Sequence, residues 1–277
     1  MTLSIVIVSY NAREDLERCL ESLHTVPPAT PHDITVVDNA STEGGLDRIR
    51  ARWPSLQLIA LDRNRGFAAG NNAGIRASSG ELVLLLNSDT VASGGALDTL
   101  VQRLLAHPDA AAAGSRLVDS GGRVELSFGK MISPLGELRQ KVIGAAHNAG
   151  LGPVTSWVER ATRREQFVDW VSGACLLVRR ADAEAVGLLD ERFFLYTEDV
   201  DFCASLRARG RKILFAPAAE IVHLRGRSRA TATSAMDAAY RQSQLAFYEK
   251  HHPTWAPVLR GYLRLKGALP GADRSQP

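Results

Sequence analysis

Three carboxylates, Glu198, Asp199 and Asp201, lie within the largely apolar stretch FFLYTEDVDFC. Carboxylates avoid apolar surroundings unless they are paired, bind a cation or take part in chemistry. On a helix, Asp199 would share a face with Phe202 and Leu206, where partial desolvation would raise its pKa toward a value useful to a general base. Asp201 points elsewhere and is predicted to be a solvated residue of the first turn. The alternative for all three acids is stabilisation by the helix dipole.

Polar side chains follow three apolar runs that are typical of buried strands, LSIVIVS, ITVVD and ELVLLLN. Because ligands of open α/β sheets bind outside the carboxyl ends of the strands, these side chains are predicted to line one crevice. They are Ser9, Tyr10 and Asn11 after the first run, Asp38 and Asn39 at the end of the second, and Asn87, Ser88 and Asp89 at the end of the third. Asp38 is suited to accept a hydrogen bond from a base or a ribose, or else to close its strand with an Asx turn.

Asp89 follows a fully apolar strand, a position from which a carboxylate can hold a hard divalent cation. Mg²⁺ and Mn²⁺ typically take one or two carboxylates together with substrate phosphates. The alternative is helix capping by Asp89 or Ser93.

The stretch NRGFAAGNNAG contains Arg65, Gly66 and Asn71 among several small residues. It matches neither the dinucleotide-binding fingerprint nor a Walker A loop. Its glycines would let the N-terminus of a helix approach a diphosphate, or let the helix lie close against the sheet. The residues leave both interpretations open.

The chain as a whole is predicted to form an α/β domain. Its 277 residues are 45% hydrophobic and 23% charged, and the net charge of +3 does not argue for nucleic-acid binding. Strand-like and helix-like segments alternate in the first half, which predicts a mostly parallel sheet. Residues 119–166 show no clean period beyond the hairpin turn DSGGRV. Two helices are predicted beyond about residue 235.

Seven motifs occur in order along residues 2–230: VSYN, VVDNAS, NRGFAAGNN, LLLNSDT, VSGACLLVRR, DERFFLYTEDVDFC and VHLRGRS. Together they resemble family 2 inverting glycosyltransferases of the GT-A fold, and most closely the rhamnosyltransferase-like members that build cell-surface polysaccharide. The resemblance implies a Rossmann-like α/β domain over residues 1–230, a variable acceptor-side segment at 119–166 and a helical appendage at 235–270. It also implies transfer of a sugar such as rhamnose from a dTDP- or UDP-linked donor to a glycan or lipid-linked acceptor.

The resemblance assigns roles to individual residues. Asp199 matches the general base, with Glu198 beside it, and Asp38 matches the residue that contacts the nucleotide base. Asp89 matches the ligand of Mg²⁺ or Mn²⁺, and His223 matches a histidine that can complete the metal or diphosphate site. A packed structural role is the alternative for this histidine.

Further positions are implied on the donor and acceptor sides of the site. Trp170 and Gly173 match an acceptor-side strand, where the indole could stack on a sugar or belong to the core. The donor-binding residues implied are Ser9, Tyr10, Asn11, Asp38, Asn39, Arg65, Gly66, Asn71, Asn87, Ser88 and Asp89.

The C-terminal helices carry basic and aromatic residues, which suits contact with an anionic membrane surface. The residues are Arg241, Lys250, Arg260, Arg264 and Lys266, with Tyr248, Trp255 and Tyr262 between them. A solvated face or a homodimer contact is the alternative. Three scattered cysteines and the lack of an apolar run of about 18 residues favour a cytoplasmic protein, peripheral at most to the inner face of the membrane.

Two other functions are compatible with an α/β sheet that carries acidic residues. A nucleotidyltransferase would show a loop rich in Gly and Lys or Arg after the first strand, and VSYNAREDL has none. A non-catalytic module that binds sugar nucleotides would have no need to retain Asp89, Asp199 and His223 together.

Overall fold

The computed structural model describes residues 1–224 and 233–268. Within them the strands are β1 (Leu3–Ser9), β2 (His32–Asp38), β3 (Gln57–Ala60), β4 (Leu82–Asn87), β5 (Thr90–Ala92), β6 (Ala110–Val118), β7 (Phe128–Gly129), β8 (Gln166–Val168), β9 (Trp170–Val171), β10 (Cys175–Arg179) and β11 (Lys212–His223). The helices are α1 (Arg13–Thr25), α2 (Leu46–Arg52), α3 (Gly66–Ala77), α4 (Ala96–Ala106), α5 (Pro134–Asn148), α6 (Gly152–Ala161), α7 (Arg180–Ala185), α8 (Glu198–Ala208), α9 (Thr233–His251) and α10 (Ala256–Leu265).

One large sheet organises the chain, in the order β3-β2-β1-β4-β10-β6-β11-β5, with β8 paired to β11. Strands β3, β2, β1 and β4 are parallel, as are β6 and β11. Strand β10 runs antiparallel between β4 and β6. The predicted α/β sheet is confirmed, and it is mixed because β10 and the strands β5 and β8, which pair with β11, run antiparallel to their neighbours.

The β1 and β4 strands are buried on both faces, which explains their continuous apolar sequences. Helix α3 lies unusually close to β1 because its glycines face the strand. A Cβ on Gly70 would stand 2.8 Å from Val8 Cγ1, and one on Gly74 would stand 2.4 Å from Val6 Cγ1. The structure therefore supports close helix–sheet contact as the reason for these two glycines.

The segment 119–166 contains more regular structure than the sequence predicts. The predicted hairpin turn is present, with an isolated antiparallel bridge between Val118 and Val124. The expectation of an otherwise irregular segment is wrong, because α5 and α6 occupy most of it. The start of α5 carried a readable signal: the Ser133 side chain caps the helix by accepting a hydrogen bond from the Gly136 N–H at 3.1 Å.

The two predicted C-terminal helices are present as α9 and α10, and they pack against the sheet domain. Phe247 of α9 and Leu263 of α10 are fully buried. Helix α9 also contacts α5, because Glu137 of α5 accepts hydrogen bonds from Tyr240 and Tyr248 of α9 at 3.2 and 3.0 Å. Among the described residues, no helix is both long and apolar enough to cross a membrane.

Candidate active site

The Asp199 carboxylate is fixed at the N-terminus of α8 by two backbone donors. Its Oδ2 accepts a hydrogen bond from the Gly173 N–H and its Oδ1 accepts one from the Val200 N–H, both at 2.8 Å. A Cβ on Gly173 would lie 3.3 Å from Asp199 Cβ, so the absence of a side chain there lets the two segments meet. Burial raises the pKa of Asp199 above its ordinary value, although the two backbone donors act in the opposite direction.

Glu198 lies beside Asp199 and is only 5% exposed. Its Oε2 is buried and has no hydrogen-bond partner among the residues that the structure describes. Burial, and then the negative charge of Asp199, hold the pKa of Glu198 well above its ordinary value. The two carboxyl groups are therefore a coupled pair in which ionising both is unfavourable.

The loop that leads into this pair has an uncommon backbone conformation. Tyr196 and Thr197 have φ values of +69° and +63°, in the left-handed region that β-branched residues rarely adopt. The loop is held from two sides: the Phe194 carbonyl accepts the Phe67 N–H at 2.7 Å, and the Leu195 carbonyl accepts the Ser243 hydroxyl at 2.8 Å. These contacts stabilise the strained turn that precedes Glu198 and Asp199 and sets their position.

The prediction that Asp201 is solvated is wrong. Its carboxylate is almost completely buried and contacts Lys250 Nζ at 2.8 Å and His251 Nε2 at 2.6 Å. Both partners belong to α9, about fifty positions further along the chain, so the local sequence gave no sign of them. Asp201 joins α8 to α9 and has a structural role.

Asp89 and His223 lie side by side because β5 pairs with the end of β11. In that ladder Thr90 is opposite His223, and the Leu224 N–H donates to the Asp89 carbonyl at 2.8 Å. His223 Nε2 is 3.2 Å from Asp89 Oδ1, and its Nδ1 is 3.1 Å from Glu125 Oε2. Burial lowers the pKa of His223, but the hydrogen bonds to the two carboxylates outweigh it and raise this pKa to about 9.

Glu125 was not among the residues predicted to form the site. It lies in the segment after the hairpin turn, matches no motif, and meets His223 only through a contact between residues 98 positions apart.

Strand β4 connects the Asp89 region to the Asp199 region. The Asn87 N–H donates to the carbonyl of Ala174 at 3.0 Å, and Ala174 follows the glycine that binds Asp199. The side-chain Oδ1 of Asn87 is buried without a hydrogen-bond partner among the described residues. Ser88 is half-buried between Asn87 and Asp89. The predicted base at the start of α8 and the predicted cation ligand just after β4 are therefore connected through backbone hydrogen bonds at Gly173 and Ala174.

The residues after β1 and β2 interlock with the start of α3. Asn39 Nδ2 donates to the Gly66 carbonyl at 3.1 Å, and Asn39 Oδ1 accepts the Arg65 N–H at 2.8 Å. Asn11 Oδ1 accepts the Thr42 N–H at 2.8 Å. Asn11 and Asn39 thus hold the loops that form this side of the crevice.

The remaining predicted donor-side residues differ in their surroundings. Asp38 is buried, and its Oδ2 accepts the Ser41 N–H three residues on, at 3.2 Å, so its carboxylate is held by the local backbone one residue beyond the two-residue reach of an Asx turn. Ser9 is buried, whereas Tyr10 is exposed at the rim. Asn71 donates to the Phe67 carbonyl at 2.9 Å, and its Oδ1 is buried without a partner among the described residues.

Trp170 is a core residue in the structure. It is 8% exposed, its Nε1 donates to the Lys130 carbonyl at 2.9 Å, and its ring fills the space beside Gly129. The core alternative therefore fits better than sugar stacking. Gly173, by contrast, lies directly against Asp199.

The donor atoms present fit a divalent cation that is shared with a phosphate ligand. No group of three or more His, Cys, Asp and Glu side chains forms a metal cage within residues 1–224 and 233–268. Mg²⁺ and Mn²⁺ do not need such a cage when substrate phosphates supply further oxygens. Asp89 and His223 supply one carboxylate and one imidazole in contact, and Glu125 supports the imidazole from its other side.

Comparison with known proteins shows similarity over most of the chain. Residues 4–168 match the profile of the family described as Glycosyl transferase family 2. An N-acetylglucosaminyl-diphospho-decaprenol L-rhamnosyltransferase of Mycobacterium tuberculosis is 32% identical over 96% of this chain and 92% of its own length. An O-antigen biosynthesis protein of Myxococcus xanthus is 27% identical over 97% of this chain and 21% of its own.

Solved structures show the same fold at lower sequence identity. A Pyrobaculum calidifontis mannosyltransferase in complex with GDP-Man and Mn²⁺ superposes with a TM-score of 0.60 at 19% identity, covering 97% of this chain and 72% of that one. A structure of S. aureus TarS gives a TM-score of 0.56 at 16% identity, covering 92% of this chain and 74% of that one. The fold is therefore GT-A, as the motifs indicated.

Proposed function

Because the chain belongs to glycosyl transferase family 2 and is therefore an inverting glycosyltransferase, we propose that it transfers rhamnose from a dTDP- or UDP-linked donor to a hydroxyl of a lipid-linked glycan in cell-surface polysaccharide synthesis. The observation that carries the proposal is the hydrogen-bonded connection from Asp199 through Gly173 and Ala174 to Asn87, two residues before Asp89. The 32% identity to a mycobacterial protein named as an L-rhamnosyltransferase supports the choice of sugar and acceptor class.

Asp199 acts as the general base in this proposal. The acceptor oxygen attacks the anomeric carbon and gives its proton to Asp199, while the bond from that carbon to the diphosphate oxygen breaks and the diphosphate leaves with the electron pair. One displacement inverts the configuration and needs no covalent intermediate. The hydrogen bonds from Gly173 and Val200 fix the carboxylate, and its raised pKa makes it a stronger base than an exposed aspartate.

Glu198 supports the base without touching the acceptor. Its buried carboxyl is adjacent to Asp199, and ionising both groups is unfavourable. The charge state of Glu198 therefore influences how readily Asp199 accepts a proton.

Asp89 and His223 would hold Mg²⁺ or Mn²⁺ beside the donor diphosphate. When bound, such a cation stabilises the negative charge that develops on the leaving diphosphate. Asn87 and Asn71 each have a buried amide oxygen without a partner in the part of the chain that the structure describes, and we propose that these oxygens accept hydrogen bonds from hydroxyls of the sugar nucleotide. Asp38, Tyr10 and the loops held by Asn11 and Asn39 complete the proposed nucleotide side.

We also propose that α10 rests on an anionic lipid surface. One face of this segment carries four exposed apolar or aromatic side chains at helical spacing, Trp255, Val258, Tyr262 and Leu265. Leu265 is 90% exposed. The exposed cations Arg264 and Lys266 flank the face and complement anionic head groups.

Two residues named earlier for membrane contact have other roles. Lys250 pairs with Asp201, and Tyr248 is buried against Glu137. Membrane contact is therefore assigned to α10 rather than to α9.

Binding to vesicles tests the α10 proposal. Wild-type protein should sediment with phosphatidylglycerol vesicles and much less with phosphatidylcholine vesicles, and Val258→Ser/Leu265→Ser should weaken this binding. Trp157→Ser, which removes an exposed aromatic residue from α6, is the matched control and should bind as the wild type does. Failure of the wild type to bind, together with a monomer–dimer equilibrium that depends on Leu265, would assign the face to a second copy of the chain instead.

A ligand panel tests the donor assignment. Melting temperatures are measured with dTDP, UDP, GDP, ADP and CMP, each with and without Mn²⁺, because a ligand that binds only the native state raises the melting temperature. The largest cation-dependent shift should come from dTDP or UDP. No shift with any nucleotide would contradict a donor site formed by the protein alone.

A further inference from the structure

We infer that Glu125 is a positioning residue that holds the His223 imidazole so that its Nε2 faces the cation beside Asp89. The inference rests on the proposed function, because it takes Asp89 and His223 as the residues that hold the cation. It adds a residue that belongs to none of the seven motifs and lies within the segment predicted to be variable.

Hydrogen bonding to the sheet places Glu125 beside His223. The Glu125 N–H donates to the Leu117 carbonyl at 2.9 Å, which ties the residue to β6. Strand β6 runs parallel to β11, with Leu117 opposite Ile221. Glu125 thus lies in the segment that folds back along β6, the neighbour of the strand that ends in His223, and a backbone hydrogen bond and the adjacent bridge between Val118 and Val124 fix its position.

The two ring nitrogens of His223 face two different carboxylates. Glu125 Oε2 is 3.1 Å from Nδ1, and Asp89 Oδ1 is 3.2 Å from Nε2. The side chains of His223 and Glu125 are each only 9% exposed, whereas Asp89 is 28% exposed. Asp89 therefore lies on the side open to a ligand and Glu125 on the closed side.

The Glu125 carboxylate favours the His223 tautomer that can bind a cation through Nε2. An ionised carboxylate only accepts hydrogen bonds, so without a cation both ring nitrogens carry a proton, one toward Glu125 and one toward Asp89. A cation would displace the proton of Nε2, and Glu125 would keep the proton on Nδ1, so that the lone pair of the ring would be on Nε2, beside Asp89. Histidines that bind metals commonly donate their other N–H to a carboxylate in this way, and removing that partner typically costs about 10- to 100-fold in metal affinity.

A purely structural role for Glu125 makes a different prediction. If it only bridged β6 and β11, its loss would lower the melting temperature and leave the cation affinity of the folded protein unchanged. Cation affinity therefore separates the two roles without an activity assay.

The experiment is a titration with Mn²⁺ in the presence of saturating dTDP, followed by electron paramagnetic resonance of free Mn²⁺. Glu125→Met, which keeps the length but removes the acceptor, should weaken Mn²⁺ binding by about 10- to 100-fold. Glu125→Gln retains a carbonyl acceptor and should lose less. Glu220→Met is the matched control, since Glu220 is on the same strand as His223 but pairs with Arg116, and it should bind Mn²⁺ as the wild type does.

Each result decides the matter. An affinity for Mn²⁺ within twofold of the wild type in both Glu125 variants would overturn the inference. If Asp89→Ala lost Mn²⁺ binding in the same experiment, the proposed cation site would still be supported. An equal loss in Glu220→Met would show a general charge effect and would also overturn it. Absence of Mn²⁺ binding by the wild type would remove the proposed cation site, and the inference with it. If Glu125→Met does not fold, Glu125→Gln compared with Glu220→Gln decides the same question.

Discussion

Replacing Asp199 with Asn removes the proposed base while keeping the shape of the side chain. General-base catalysis typically contributes about 100- to 10,000-fold in rate, so kcat should fall by that factor, about 3–5 kcal/mol in activation free energy. The donor Kd should stay unchanged, because the base acts only on the acceptor.

The structure also predicts a small effect of Asp199→Asn on stability. The amide keeps one oxygen acceptor but turns its NH₂ toward one of the two N–H donors, Gly173 or Val200, which destabilises the fold. The substitution also removes a buried carboxylate whose pKa is raised, which stabilises the fold at neutral pH. Because these effects oppose each other, the melting temperature should change by only a few degrees.

The assay measures kcat by release of the nucleoside diphosphate with acceptor present, and donor Kd by calorimetry. Asp201→Asn is the matched control, the same change two positions along α8. It weakens the contacts with Lys250 and His251, both of which are partly exposed, and should cost about 1–3 kcal/mol of stability, yet retain the kcat of the folded fraction. Wild-type turnover by Asp199→Asn would refute the assignment of the base.

Three further predictions concern the surroundings of the base and the cation site. The difference in melting temperature between Glu198→Gln and the wild type should grow in favour of the variant as the pH rises from about 4 to 8. The reason is that the pKa of Glu198 is raised in the native state, so ionising this residue destabilises the wild type. A constant difference across that pH range would contradict this. Gly173→Ala should lower kcat by about 10-fold with donor Kd unchanged, since its new Cβ would crowd Asp199 Cβ at 3.3 Å; a weaker donor Kd with normal kcat would place Gly173 on the donor side. Asp89→Ala should abolish the Mn²⁺-dependent part of donor binding measured by calorimetry, and unchanged Mn²⁺ dependence would place the cation elsewhere.

Much of the sheet and the edge that carries the site could be predicted because the information is local. Apolar β-branched runs specify buried strands, and the polar residues that end them, such as Asp38 and Asp89, must gather at the carboxyl edge of parallel strands. The N-terminal position of Asp199 on α8 also followed from local spacing.

The features that the sequence did not reveal depend on contacts between distant segments. Asp201 looked solvated because its partners come from α9, and Glu125 looked unremarkable because His223 is 98 residues away. The left-handed turn at Tyr196 and Thr197 could not be predicted from residue type, since both residues normally avoid that conformation. It persists because Phe67 and Ser243 hold the loop from outside.

We propose an inverting transfer from a nucleotide sugar, with Asp199 as the base and the cation beside Asp89. It is tested most directly by incubating the protein with dTDP-rhamnose, Mn²⁺ and a polyprenyl-diphosphate-linked N-acetylglucosamine, and determining the anomeric configuration of the product by NMR. We expect a rhamnosylated product whose anomeric configuration is opposite to that of the donor, and at least about 100-fold slower formation of it by the Asp199→Asn variant. A product that retains the donor configuration, or one formed equally well without Asp199, would contradict it.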